Sequence, residues 1–122
     1  MELDLGDPVR QLGILCGLAF IPHSLAKFTS REAVEAFFNA AGFRPAALFV
    51  YLSLAIEVAV TLGLVVGILI PYAAAVAAIF MLVAAVAVYR TSGGRWVWNL
   101  GGCEFHVFWA VCCLIVAFHS FA

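Results

Sequence analysis

Of the 122 residues, 66% are hydrophobic and 11% charged, and the mean hydropathy is +1.15. Soluble domains carry about 45–50% apolar and about 25% charged residues, and one domain of this length cannot bury such an excess of apolar surface without lipid. A formal charge of −1 with no basic run or acidic tail excludes nucleic-acid binding through a charged surface, and the scarcity of polar sequence excludes disorder. The composition is that of an integral membrane protein, expected to form one domain over residues 1–122.

Apolar runs near twenty residues mark membrane helices. The first is expected over residues 8–27, and Pro22-His23 interrupts it near its end. With no basic leader and no small-residue cleavage site after the apolar run, it reads as a retained span rather than a signal peptide. Residues 30–41 follow as a short helix, in which Val34, Phe37, Phe38 and Ala41 share a face opposite Arg31, Glu32, Glu35 and Asn39. Thr29 with Glu32 matches a capping box, and Gly42 suits a helix C-terminus. This pattern fits a helix lying at the bilayer surface, and equally a flap over the mouth of a bundle.

The second and third spans are expected over residues 45–70 and 71–89, separated only by Ile70-Pro71 and therefore joined in a tight hairpin, with Pro71 opening the third helix. Tyr72 and Tyr89 bracket the third span at about 26 Å, near the hydrocarbon thickness. A glycine-rich connection bearing Trp96 and Trp98 leads to a fourth span over residues 104–121; the two indoles read as anchors in the headgroup region. The expected fold is therefore all-α, a polytopic four-helix membrane bundle with a short interfacial helix between the first and second spans.

Gly13 with Gly17, Gly63 with Gly67, and the alanines of the third span are packing surfaces, since close backbone approach replaces the hydrophobic drive that lipid does not supply. Spacing alone leaves open whether they meet within one bundle or in a homo-oligomer. Lys27, Arg31, Arg44, Arg90 and Arg95 lie on the two long connections and Arg10 with the termini. The positive-inside rule then places the long connections in the cytoplasm and the termini outside.

Glu57 lies about 18 Å along the second span. A carboxylate at such depth costs about 2.5–3.5 kcal/mol on insertion scales, so it must face the interior with a partner or be protonated. It reads either as part of a functional pocket or as a structural hydrogen-bond partner. His23 and Lys27 stand one turn apart at the end of the first span. Lys27 can pair with Glu57 or Glu104, or extend its ammonium to the interface. Glu104 and His106 open the fourth span, where the helix dipole alone is reason enough for an acidic residue. His23, Lys27, Glu57 and Glu104, with Arg44, Arg95 and His106 as accessory groups, all belong to one half of the bundle, which points to a polar pocket opening toward the long connections.

Paired His23 and His106 could ligate haem, although no CxxCH accompanies them, and no metal site is expected. Cys16, Cys112 and Cys113 read as small packing residues; Cys103, beside Glu104, is the thiol placed where it could react.

These features occur in a recognisable order. Arg10 precedes the first span, Phe20-Ile21-Pro22-His23-Ser24-Leu25-Ala26-Lys27-Phe28 closes it, and Glu57 leads a stretch to Gly67. An alanine-rich span follows, then Gly101-Gly102-Cys103-Glu104-Phe105. Nearly the whole chain resembles the DoxX family of small four-helix membrane proteins, although Ser24 stands where the family often has glycine. The resemblance implies kinship with the small subunit of a thiosulfate:quinone oxidoreductase and with redox and oxidative-stress complexes. Carried over by position, it implies His23, Lys27, Glu57 and Glu104 as pocket residues.

The leading expectation is a membrane subunit without an intrinsic cofactor that docks an oxidoreductase subunit and presents quinone to it, with Glu57 exchanging protons and His23 or Lys27 bonding a ring oxygen. A non-catalytic scaffold or assembly factor is the alternative. A small transporter is the third, and no internal repeat or broken midplane helix supports it.

Overall fold

The computed structural model describes residues 6–97 and 101–121. The first helix, α1, spans Pro8–Thr29 and starts with two local devices. The Asp7 carboxylate accepts from Val9 N at 3.0 Å, and Pro8 sits where a missing N–H is harmless. Pro22 does not end α1, which continues for nearly two more turns and carries Lys27 in its last turn.

α2 spans Arg31–Ala41. The expected capping box does not form: Thr29 belongs to α1, and its hydroxyl donates to Leu25 O at 3.2 Å. Ser30 takes the N-cap position without a side-chain bond. The far end is as expected. Gly42 adopts φ +95°, and Phe43 N donates back to Phe38 O at 2.8 Å, closing the helix as a left-handed glycine permits. α2 is tied to the next span by Arg31, which pairs with Glu35 at 2.6 Å, donates to the Tyr51 hydroxyl at 3.2 Å and stacks over the Tyr51 ring.

α3 spans Ala46–Leu62 and passes into a π-helical turn over Gly63–Gly67, where the sequence predicts one continuous span over 45–70. Ile68 N reaches back to Gly63 O at 2.9 Å, so the carbonyls of Leu64 and Val65 lose their usual helical partners. Buried Arg10 supplies the replacement, its guanidinium donating to Leu64 O and, at 2.8 Å, to Val65 O. A cation at the negative end of a helix dipole is also favourable electrostatically. Arg10 is therefore an internal brace across the bundle.

Ile68 and Leu69 make the turn into α4, which spans Ile70–Thr91 with Pro71 at its second residue. α5 spans Glu104–Phe121. The four long helices, counting α3 with its π turn, are each apolar and long enough to cross a membrane. They form a ring in which α1 and α4 each lie between α3 and α5. The chain is an all-α integral membrane protein, with α2 set against α1, α3 and α4 at the long-connection end.

The core combines Cys16 and Phe20 of α1, Val60 of α3, Leu64 of the π turn, Ala74, Ala77, Ala78 and Met81 of α4, and Trp109, Ala110, Cys113, Val116 and Ala117 of α5. Alanines on both α4 and α5 allow these two helices to pack over their length. The glycine pairs meet partners within this chain. A Cβ on Gly17 would stand 3.0 Å from Leu64 Cβ, and one on Gly63 only 2.7 Å from Ala73 Cβ. Gly67 instead serves the turn, at φ +92°.

Candidate functional site

The polar residues of α1 and α3 meet inside the ring. Glu57, fully buried, is held by α3 toward α1, where Lys27 Nζ contacts its Oε2 at 2.7 Å and the Ser24 hydroxyl donates to Oε1 at 2.8 Å. Ser24 and Lys27 are three residues apart and so share a helix face. Both carboxylate oxygens are therefore bonded, which is how a charge pair survives at low dielectric. Below this pair the Thr61 hydroxyl donates to Glu57 O at 2.7 Å and lies 3.4 Å from Gly17 O, linking α3 and α1 a second time.

Beside the pair runs a cavity of about 440 Å³. Its polar wall is formed by Lys27, Ser53, Glu57, His23 and His106, from α1, α3 and α5. The rest is apolar: Leu52 and Ile56 on α3, and the α4 face from Val76 through Ile79, Phe80, Val83, Ala84 and Ala87 to Val88. At the long-connection end Phe37, Phe38, Phe43 and Phe49 close the wall. α2 thus turns its apolar face onto the cavity, as a flap over the bundle mouth would.

His23 and His106 come together from α1 and α5, with ring centroids 6.2 Å apart and planes at 65°. His23 also meets the Trp109 ring edge-to-face at 5.3 Å. This is an edge contact between imidazoles, and among the described residues no three His, Cys, Asp or Glu side chains converge as a metal site would need. Two buried donor or acceptor atoms, His106 Nδ1 and Trp109 Nε1, have no hydrogen-bond partner among the described residues. Such an atom costs about 1–3 kcal/mol when left unmatched.

Of the residues singled out in the sequence, His23, Lys27, Glu57 and His106 line this cavity. Glu104 does not; it is half-buried at the start of α5, and Lys27 takes Glu57 in preference to it. Arg44 and Arg95 are exposed and also lie off the cavity wall. Trp98 falls outside the described residues, while Trp96 is half-exposed. Cys103 is buried at 4% exposure rather than open at the interface. The connection folds back on itself there: Glu104 N donates to Trp96 O at 2.9 Å, and a Cβ on Gly102 would collide with the Trp96 carbonyl carbon at 2.4 Å. Cys16 and Cys113 are core residues, as expected.

Ser24, Ser53, Thr61, Phe43 and Phe49 were not singled out as site residues by sequence, whereas Phe37 and Phe38 were read as the apolar face of α2. Ser24 had a signal, since it shares a face with Lys27. Phe43, in the turn after α2, and Phe49, in the first turn of α3, had none, because only the path of that turn brings them to the cavity.

No curated protein and no solved structure matches this chain. The family model described as DoxX matches residues 12–90, a stretch that includes His23, Lys27 and Glu57 and stops before α5. With well over half of its length matched in this way, the chain belongs to the DoxX family.

Proposed function

We propose that this protein is the membrane subunit of a redox complex and that its cavity binds a quinone, with an oxidoreductase partner docking on the bundle and supplying electrons. The observation that carries this reading is an apolar cavity of about 440 Å³ with its ionisable side chains gathered on one wall, a size and lining suited to a small apolar molecule with a polar head. A quinone ring would lie with one oxygen toward Lys27, whose ammonium has three donors and gives one to Glu57. His106 Nδ1, lacking a partner within the described chain, suits the remaining head group.

Conversion of quinone to quinol takes two electrons and two protons. The electrons come from the docked partner, and the protons reach the ring oxygens at the Lys27–Glu57 wall, where ionisable groups stand at membrane depth. The membrane is proposed to be a prokaryotic inner membrane, with the cation-rich connections on the cytoplasmic side.

A scaffold reading has its own support, because both Glu57 oxygens are already bonded within the bundle, as a purely structural carboxylate would be. Gentle extraction of the tagged protein from its native membrane, followed by mass spectrometry of bound proteins and small molecules, separates the two. A redox protein recovered together with quinone supports the redox-subunit reading. Recovery of other membrane proteins alone, without quinone, transfers the assignment to the scaffold.

A further inference from the structure

The cavity has an open side, and it faces lipid. Four of its lining residues are also exposed on the outer surface of the bundle: Leu52 of α3 at 51%, and Val76, Ile79 and Val83 of α4 at 45%, 62% and 49%. All four are apolar, and they stand on the two facing helices α3 and α4. The opposite side of α4 is sealed by its long alanine contact with α5. Toward the long connections, α2 and the phenylalanines Phe37, Phe38, Phe43 and Phe49 stand between the cavity and water. The cavity is therefore bounded by aromatic rings where water lies and by a row of aliphatic side chains where lipid lies.

Its shape adds to this. The α4 wall runs from Val76 to Val88, about 18 Å of helix, so the volume of about 440 Å³ is drawn out into a slot rather than gathered into a sphere. The ionisable groups Lys27, Glu57, His23 and His106 line the α1, α3 and α5 side of this slot, across from α4. The approach of Gly63 to Ala73 sets Glu57 level with Ile79, so the apolar lining runs from there mainly toward Val88 and the phenylalanines.

We infer that the cavity loads sideways from the bilayer between α3 and α4, and that its occupant is a single-tailed amphiphile whose head sits at Lys27–Glu57 and whose tail reaches the opening framed by Leu52, Ile79 and Val83. This rests on the cavity being a ligand site, and it refines the quinone reading by requiring a tail. Desolvation favours the route. An apolar tail passes from lipid into an apolar slot without crossing water, and the hydrogen-bond partners at Lys27–Glu57 offset the desolvation of the head at membrane depth.

The test uses the full chain in nanodiscs with a long-chain fatty alcohol carrying a diazirine in its tail, with cross-links located by mass spectrometry. Lateral loading predicts modification of the inward-facing Ile56, Phe80 and Ala84 as well as the outward controls Val58 and Phe118. The double substitution Ile79→Trp and Val83→Trp, which narrows the opening, should lower labelling of the inner three at least fivefold while the outer controls stay unchanged. Labelling confined to Val58, Phe118 and other outward residues in the wild-type chain would overturn the inference. Decylubiquinone is then added as a competitor. Protection of the inner residues supports both lateral loading and the quinone reading, whereas persistent inner labelling keeps the lateral slot and removes quinone as its occupant.

Discussion

Lys27→Met removes the cation bonded to Glu57 and leaves the carboxylate, fully buried, with the hydrogen bond from Ser24 among the described residues. Breaking a buried pair by deleting one partner destabilises by about 3–5 kcal/mol, because the remaining charge is uncompensated. Glu57→Leu does the same to Lys27. Replacing both together removes both charges, and apolar replacement of a whole buried pair is often neutral. The double variant Lys27→Met with Glu57→Leu is therefore expected to be more stable than either single variant and within about 1 kcal/mol of wild type. Ser24→Ala, which removes the bond to the other carboxylate oxygen, should cost about 1.5–3 kcal/mol as a hydrogen bond to a charged group. The assay is reversible unfolding in mixed micelles, titrated with SDS and followed by circular dichroism. Single substitutions that each cost under about 0.5 kcal/mol and simply add in the double variant would refute the pair as an element of the fold.

Other substitutions test the rest of the architecture. Arg10→Met leaves the Leu64 and Val65 carbonyls without their guanidinium, and the loss of a buried hydrogen-bonded group should lower stability by about 1–3 kcal/mol in the same titration; an unchanged midpoint would show that the brace is dispensable. Gly63→Val places side-chain atoms where Ala73 Cβ already stands at 2.7 Å, and overpacking of this kind costs about 1–3 kcal/mol. If Gly63→Val unfolds at the wild-type midpoint, α3 and α4 do not approach as described. Trp109→Phe deletes a buried indole N–H and part of a ring packed on Phe20 and His23, and the cavity it leaves should lower stability by about 1–3 kcal/mol. An unchanged midpoint would show that the indole is not packed in the core as described.

The four spans were readable because each is a long apolar run, and their boundaries shift by only a few residues: α1 extends beyond Lys27 and α4 beyond Tyr89. The π turn was not readable. Its cause is the match between the Gly63 backbone, the close approach of Ala73 and the reach of Arg10, three features far apart in sequence. For the same reason Arg10 looked like a topology signal when it is a buried brace. At the site, Glu57 was legible because a carboxylate in an apolar run demands a partner, and Lys27 because it ends the neighbouring span. Arg44 and Arg95 share that half of the bundle yet lie off the cavity. Chain order sets which end of the bundle a residue occupies, while its direction around the helix or loop decides whether it faces inward.

Equilibrium binding of labelled decylubiquinone to the full chain in nanodiscs, compared with protein-free discs, tests the cavity as a quinone site most directly. Saturable binding of one quinone per chain is the expected result, weakened at least about tenfold, or ~1.4 kcal/mol, by Ala84→Trp, which fills the slot beside Phe80 and Val83. Uptake that rises linearly with quinone and equals that of protein-free discs would contradict it.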